Sequence, residues 1–173
     1  MNRVEELADV LHRGSHSLVA LHDGKIHAYD GRGVSDLLCL LDTEPQLLSG
    51  AAIADKVVGK AAAAIMLAGG VRTLYADVIS RQALQLLAAA EPHVDVAYGA
   101  ETDYIINRSR TGWCPMELAC RDCSSAAECV ARIRAKIAEM RSASLGATMQ
   151  EDNRSKKKKL PNHDTIDSQV ILV

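Results

Sequence analysis

The order of apolar runs in this chain predicts an α/β fold, a three-layer α/β/α sandwich around a mixed sheet of about five strands. Three observations carry that expectation. Short β-prone runs alternate with stretches of helical spacing, which implies right-handed crossovers and mostly parallel strands. An Asp23-Gly24 pair between two apolar runs sets a hairpin early in the chain, so one edge is antiparallel. The chain has no Phe and one Trp, Trp113, so Leu, Val, Ile and many Ala must build the core. Small side chains of that kind let helices lie close on a sheet.

Each element follows from its local pattern. Val4, Leu7, Ala8 and Leu11 recur at helical spacing and predict a first helix ending near Gly14. Residues 17–22 and 25–29 are the hairpin strands. His22 and His27 flank the turn, where they either face each other across the strands or lie on the surface. Gly31-Arg32-Gly33 breaks the chain, and Val34, Leu37, Leu38 and Leu41 mark a second helix stopped near Pro45. Residues 50–54 read as a short small-residue strand. Asp55 then reads as the N-cap of an alanine-rich helix that runs to Gly69-Gly70. That helix is apolar almost all round and must be covered by protein on most sides. Residues 71–78 form a strand, Ser80 caps the next helix, and residues 94–98 form the last strand. A loop through residues 104–111 leads to two final helices, near 115–122 and 125–141. The pattern stops at Gly146. The expected organisation is therefore one domain over residues 1–145 and a polar, Lys-rich, disordered tail over 146–173. The β-prone end, Gln169–Val173, is either a sticky terminus or a strand for a partner's sheet edge.

Composition excludes several classes of function. A net charge of −2 provides no basic field to displace the counterions of long nucleic acid. No apolar stretch is long enough to span a bilayer. The acidic start, Val4-Glu5-Glu6, is unlike a signal peptide, which makes the cytoplasm the expected location, with all five cysteines reduced. The expected partner is a small nucleotide or anion, with assembly into a homo-oligomer as a further option.

Two segments carry the candidate chemistry. Cys114-Pro115-Met116-Glu117 has the grammar of a helix start, with Pro at the first helical position and Glu at the third. A thiol at the cap would be activated by free backbone N–H groups, as a nucleophile or a metal ligand. The alternative is a small buried residue, with Glu117 merely capping. Asp55 could cap, ligate a cation or act as a base. Lys56 and Lys60, four apart on the expected helix, share a face on which either could hold phosphate; otherwise they are solvated. Val58-Gly59-Lys60 is not a phosphate loop, because the first Gly and the magnesium-binding Ser or Thr are missing. Asn107, Arg108 and Arg110 precede Cys114 and could orient an anion, or serve as plain loop residues. Tyr104 and Trp113 could stack on a base or close the core. Cys114, Cys120, Cys123 and Cys129 have the spacing C-x5-C-x2-C-x5-C, which matches no standard metal pattern and is equally core filler.

Residues 17–140 resemble an uncharacterised bacterial and archaeal family of domains of unknown function. The resemblance rests on Ala54-Asp55-Lys56-Val57-Val58-Gly59-Lys60-Ala61-Ala62, Gly69-Gly70-Val71, Tyr104-Ile105-Ile106-Asn107-Arg108 and Cys114-Pro115-Met116-Glu117. It implies a cytidine deaminase-like fold. Zinc deaminases of that fold place a His or Cys with a Glu at one helix start and Pro-Cys-x-x-Cys at another. Here those motifs are absent, and Asp55, Cys114 and Glu117 are what remains to hold a cation. The functional expectation is a nucleotide or related anion bound between the helix starts at Asp55 and Cys114. Lys56, Lys60, Asn107 and Arg108 would hold the ligand, and Cys114, Asp55 and Glu117 would do the chemistry. The alternative is a divergent metal- or Cys114-dependent hydrolase, and neither a cofactor nor a metal is specified.

Overall fold

The computed structural model describes residues 3–157. Among the described residues, six helices and five strands follow in the order α1 (Arg3–Arg13), β1 (Leu18–His22), β2 (Lys25–Tyr29), α2 (Ser35–Thr43), β3 (Ala52–Val58), α3 (Lys60–Gly69), β4 (Thr73–Ser80), α4 (Arg81–Ala88), β5 (Asp95–Thr102), α5 (Pro115–Cys120) and α6 (Ala126–Lys157). A single 3-10 turn, Pro45–Leu47, follows α2. The strands form one mixed sheet in the order β2-β1-β3-β4-β5. β1 is antiparallel to both β2 and β3, whereas β3, β4 and β5 are parallel. None of the described helices is long and apolar enough to cross a membrane.

The hairpin closes at Asp23 and Gly24, whose φ angles of 47° and 74° are the two positive values a tight two-residue turn needs. Its register pairs His22 with Lys25 and His27 with Ala20, so the two histidines do not oppose each other. α1 lays Leu7 and Leu11 on Val19, Ala52 and Ala54, one face of the sheet. Alternation sends Ile53, Leu74 and Ala76 to the other face, where α3 and α4 pack. α3 is buried along most of its length, as its composition requires, and Gly70 ends it in the left-handed region at φ 82°. The Ser80 hydroxyl accepts the Ala83 N–H at 3.2 Å, the expected cap of α4.

Besides β5, which runs on to Thr102 rather than stopping at Tyr98, two boundaries differ from the sequence reading. Asp55 is not a helix cap: it lies inside β3, paired with Leu18 on one side and Ala76 on the other. The β-branched Val57 and Val58 favour the strand, their pairing with Val78 and Ile79 in β4 fixes it, and Gly59 is the true N-cap of α3. The Asp55 side chain does accept a backbone N–H two residues on, from Val57 at 3.0 Å. That local bond is the one an Asp makes at a cap, here made within a strand. Lys56 therefore sits in β3 and Lys60 opens α3, so they do not share a helix face. The second difference is α6, which runs to Lys157 rather than stopping near 141. Residues 142–157 are rich in good helix formers but carry no apolar stripe, so periodicity could not reveal them.

The chain divides into a compact unit through Lys136 and a second unit from Ile137 onward, described as the continuation of α6. Residues 158–173, including Gln169–Val173, lie outside the described residues.

Candidate functional site

Two buried carboxylates stand along β3 and its exit into α3. They are Asp55, at the middle of β3, and Glu117 of α5, which reaches the loop just after β3.

Asp55 lines a shallow cleft at the start of α2, open to solvent and with enclosed room for about one water molecule, together with Ser17, Leu18, Gly33, Asp36 and Leu37. Asp55 is 9% exposed. Burial pushes its pKa up to about 7, with smaller upward contributions from Asp77 and Asp36 and a downward one from the Val57 N–H. It therefore exchanges a proton near neutrality, the property of a general acid–base group. Asp36 enters from the first turn of α2 and accepts the Gly31 N–H at 2.6 Å. The Ser17 hydroxyl donates to the Tyr29 carbonyl at 2.8 Å. Sequence reasoning missed Asp36, Ser17 and Gly33. The signal was present in the Gly31-Arg32-Gly33 break followed at once by Ser35-Asp36 at a helix start.

Glu117 is sealed, at 1% exposure. It does not fold back on its own helix. Its Oε2 accepts the Lys60 N–H, the first of α3, at 2.8 Å. A Cβ on Gly59 would overlap that oxygen, so only glycine at 59 lets the carboxylate reach the helix end. The opposite half of the exchange comes from the Lys60 ammonium, which donates to the carbonyls of Arg121 and Cys123 at 2.9 and 2.8 Å, just beyond α5. Each helix thus supplies the other's terminal partner. Burial raises the Glu117 pKa, while Ser80, the Lys60 N–H and charge, and the Ile105 N–H pull it down. Ser80 and Ile105 come close, yet Oε1 makes no hydrogen bond.

Cys114 takes the N-cap position of α5 as expected, but its side chain makes no capping bond. Its N–H, which a capping Glu would have taken, donates instead to Ile105 O at 2.8 Å. Among the described residues no hydrogen bond and no common cleft lining joins Asp55 to Cys114. Asp55 touches Val57 and the cleft residues, Cys114 bonds Ile105 and Leu118, and the two sets share no member. Among the described residues no group of three or more His, Cys, Asp or Glu side chains could hold a metal, so Asp55, Cys114 and Glu117 do not form a cation site. Cys120, Cys123 and Cys129 are buried, and burial raises the thiol pKa of Cys120 and Cys129, the opposite of activation.

The remaining candidates are spent locally or stand free in solvent. The Asn107 side chain ties its own loop, accepting the Thr111 N–H at 3.0 Å and the Ser109 hydroxyl at 3.1 Å. Arg108 is exposed on that loop, and Lys56 is half-buried. Tyr104 and Trp113 stack on each other with centroids 4.5 Å apart, and the Arg121 guanidinium lies 5.3 Å from the Trp113 ring.

Comparison with known proteins adds the following. A family model described as TM1506, a domain of unknown function (DUF1893), matches residues 6–137. The crystal structure of a DUF1893 family protein (TM1506) from Thermotoga maritima is 22% identical, with a TM-score of 0.70 over 79% of this chain and 92% of that one. At that identity the likeness speaks for the fold alone. No curated protein matches.

Proposed function

This chain belongs to the TM1506 family, a domain of unknown function (DUF1893), and from that premise we propose that it binds a small nitrogen-bearing ligand in the cleft at the start of α2, with Asp55 exchanging a proton with it. The carrying observation is a carboxylate that is nine-tenths buried and lines an open cleft, where burial pushes its pKa up to about 7. Asp55 and Asp36 together disfavour a phosphate there. The helix start that would have held phosphate, that of α3, is taken by Glu117. A nucleotide thus enters this reading base first, its amino and ring N–H groups donating to carboxylates.

The reading extends to a deaminase-like architecture, supported by the sheet order with its antiparallel β1 and by a helix starting at the cleft. It also takes the binding domain to end by residue 145, so removal of 146–173 leaves binding intact. A reducing, cytoplasmic setting suits five unpaired thiols. The test is a thermal-shift screen of nucleobases, nucleosides and small amines against inorganic phosphate. Stabilisation by a nitrogenous compound that disappears in Asp55→Asn is the expected result. Stabilisation by phosphate alone, unchanged in Asp55→Asn, would refute the reading.

A further inference from the structure

Independently of the cleft, we infer that β5 is a docking edge for a second copy of this chain, the two β5 strands pairing antiparallel so that both sheets run on as one. β5 closes the sheet on one side, and β4 is the only element packed closely on it among the described residues. Six of its eight residues are exposed, and Tyr98 keeps 45% of its surface in solvent. The Asp95 N–H donates to the Arg72 carbonyl at 2.9 Å, so Asp95, Ala97, Gly99 and Glu101 turn their backbone groups toward β4. By alternation Val96, Tyr98, Ala100 and Thr102 turn theirs outward. Among the described residues none of these outward groups has a backbone partner on that side.

Such an edge is a template for another strand, and monomers guard it with lysine, proline or brevity. The opposite edge is guarded: β2 has five residues and carries Lys25 and His27. β5 has eight, and its run from Val96 to Ala100 holds no charge and no proline. A second copy completes that run through a two-fold axis normal to the sheet, which keeps like faces together. Charge sets the register. An axis at Tyr98 or Gly99 would place Asp95 opposite Glu101 or Asp103 of the other copy, a repulsive pair. An axis at Ala97 avoids this. It places Asp95 opposite Gly99 and His93 opposite Glu101, so an imidazole meets a carboxylate. Val96 then lies opposite Tyr98 on both sides of the axis, a favourable β-branched and aromatic pair. The outward N–H and C=O groups of these two residues bond each other across the seam. Strands this short bury less than a standard interface, so the dimer is a weak, exchanging one.

The experiment is sedimentation velocity of the full chain over a dilution series, with amide hydrogen exchange read by NMR at the dilute and concentrated ends. The mass is expected to rise from one chain toward two with concentration. The amides of Val96 and Tyr98 should exchange more slowly in the concentrated sample, while those of Ala97 and Gly99, turned toward β4, exchange alike in both. Ala97→Glu sets two like charges side by side on the axis and should lose the dimer. Val96→Pro removes an outward N–H that the single chain does not use, and should lose it too. This second variant carries the test if Ala97→Glu does not fold. A single chain at every concentration would overturn the assignment, as would a dimer that survives both variants. So would slowed exchange confined to amides outside β5. A dimer lost on removal of residues 158–173 would make the tail the occupant of the edge and overturn it as well.

Discussion

The Asp55 cleft and the Glu117 clamp set the same functional group along β3 and at its exit into α3, and burial raises the pKa of both. They differ in what surrounds the carboxylate. Glu117 is fastened to a helix N-terminus, beside the Lys60 charge, behind a glycine that admits nothing else. Asp55 has one backbone partner, acidic neighbours and an opening to solvent. The comparison teaches that burial alone does not mark a working group. Glu117 too keeps one oxygen, Oε1, without a hydrogen bond, so what separates the two is access: Glu117 is sealed, and Asp55 borders an opening to solvent.

The largest expected effect tests the Asp55 side of that contrast. Its pKa is held near 7 against an ordinary 3.8. The folded state therefore binds the proton more tightly than the unfolded chain does. The stabilisation is whole below pH 4, is lost as pH rises through 7, and is flat above. Over the full window the loss is about 4 kcal/mol. Urea denaturation against pH should show it in the wild type, and Asp55→Asn should remove most of it, leaving a smaller slope of the same sign from Glu117. Equal slopes in the two proteins would mean that Asp55 is an ordinary exposed acid.

Glu117→Ala comes next. It empties a sealed site and strips α3 of its cap, with an expected loss of about 3 kcal/mol in denaturant unfolding. Gly59→Ala should reproduce part of that loss by pushing the carboxylate off the Lys60 N–H. If Glu117→Ala proved near neutral, the clamp would be no more structural than the cleft. Lys60→Met should cost about 2 kcal/mol, because it leaves two carbonyls without their donor. Its effect should be non-additive with Glu117→Ala in a double-mutant cycle, since the two residues join the same pair of helices. The smallest effect is Ser80→Ala, about 1 kcal/mol from the lost cap of α4.

Much of this molecule was legible in residue order. The hairpin at Asp23-Gly24, the all-round burial of the alanine-rich helix, the Ser80 cap and Pro115 at a helix start each follow from a local pattern with a local cause. The two carboxylates were also picked out from the sequence, but the side chains around them were not. Asp55 looked like a cap because an Asp makes the same short-range bond in a strand. Glu117 looked like the partner of Cys114 because it lies three residues on. The groups found beside them, Asp36 in the cleft of one and Lys60 bonded to the other, are 19 and 57 residues away.

Propensity, periodicity and turn chemistry thus settled the element types, because those depend on neighbours within a few positions. Only tertiary packing decided which residue closes each helix end. It also decided which acid stays open, because those outcomes depend on strand pairing and on the loops that bring α2 and α5 to the sheet. The positions of Gly59 beside one carboxylate and of Gly33 beside the other show the limit most clearly: each is a plain glycine in the chain, and the fold alone makes one the floor of a seal and the other the wall of a cleft.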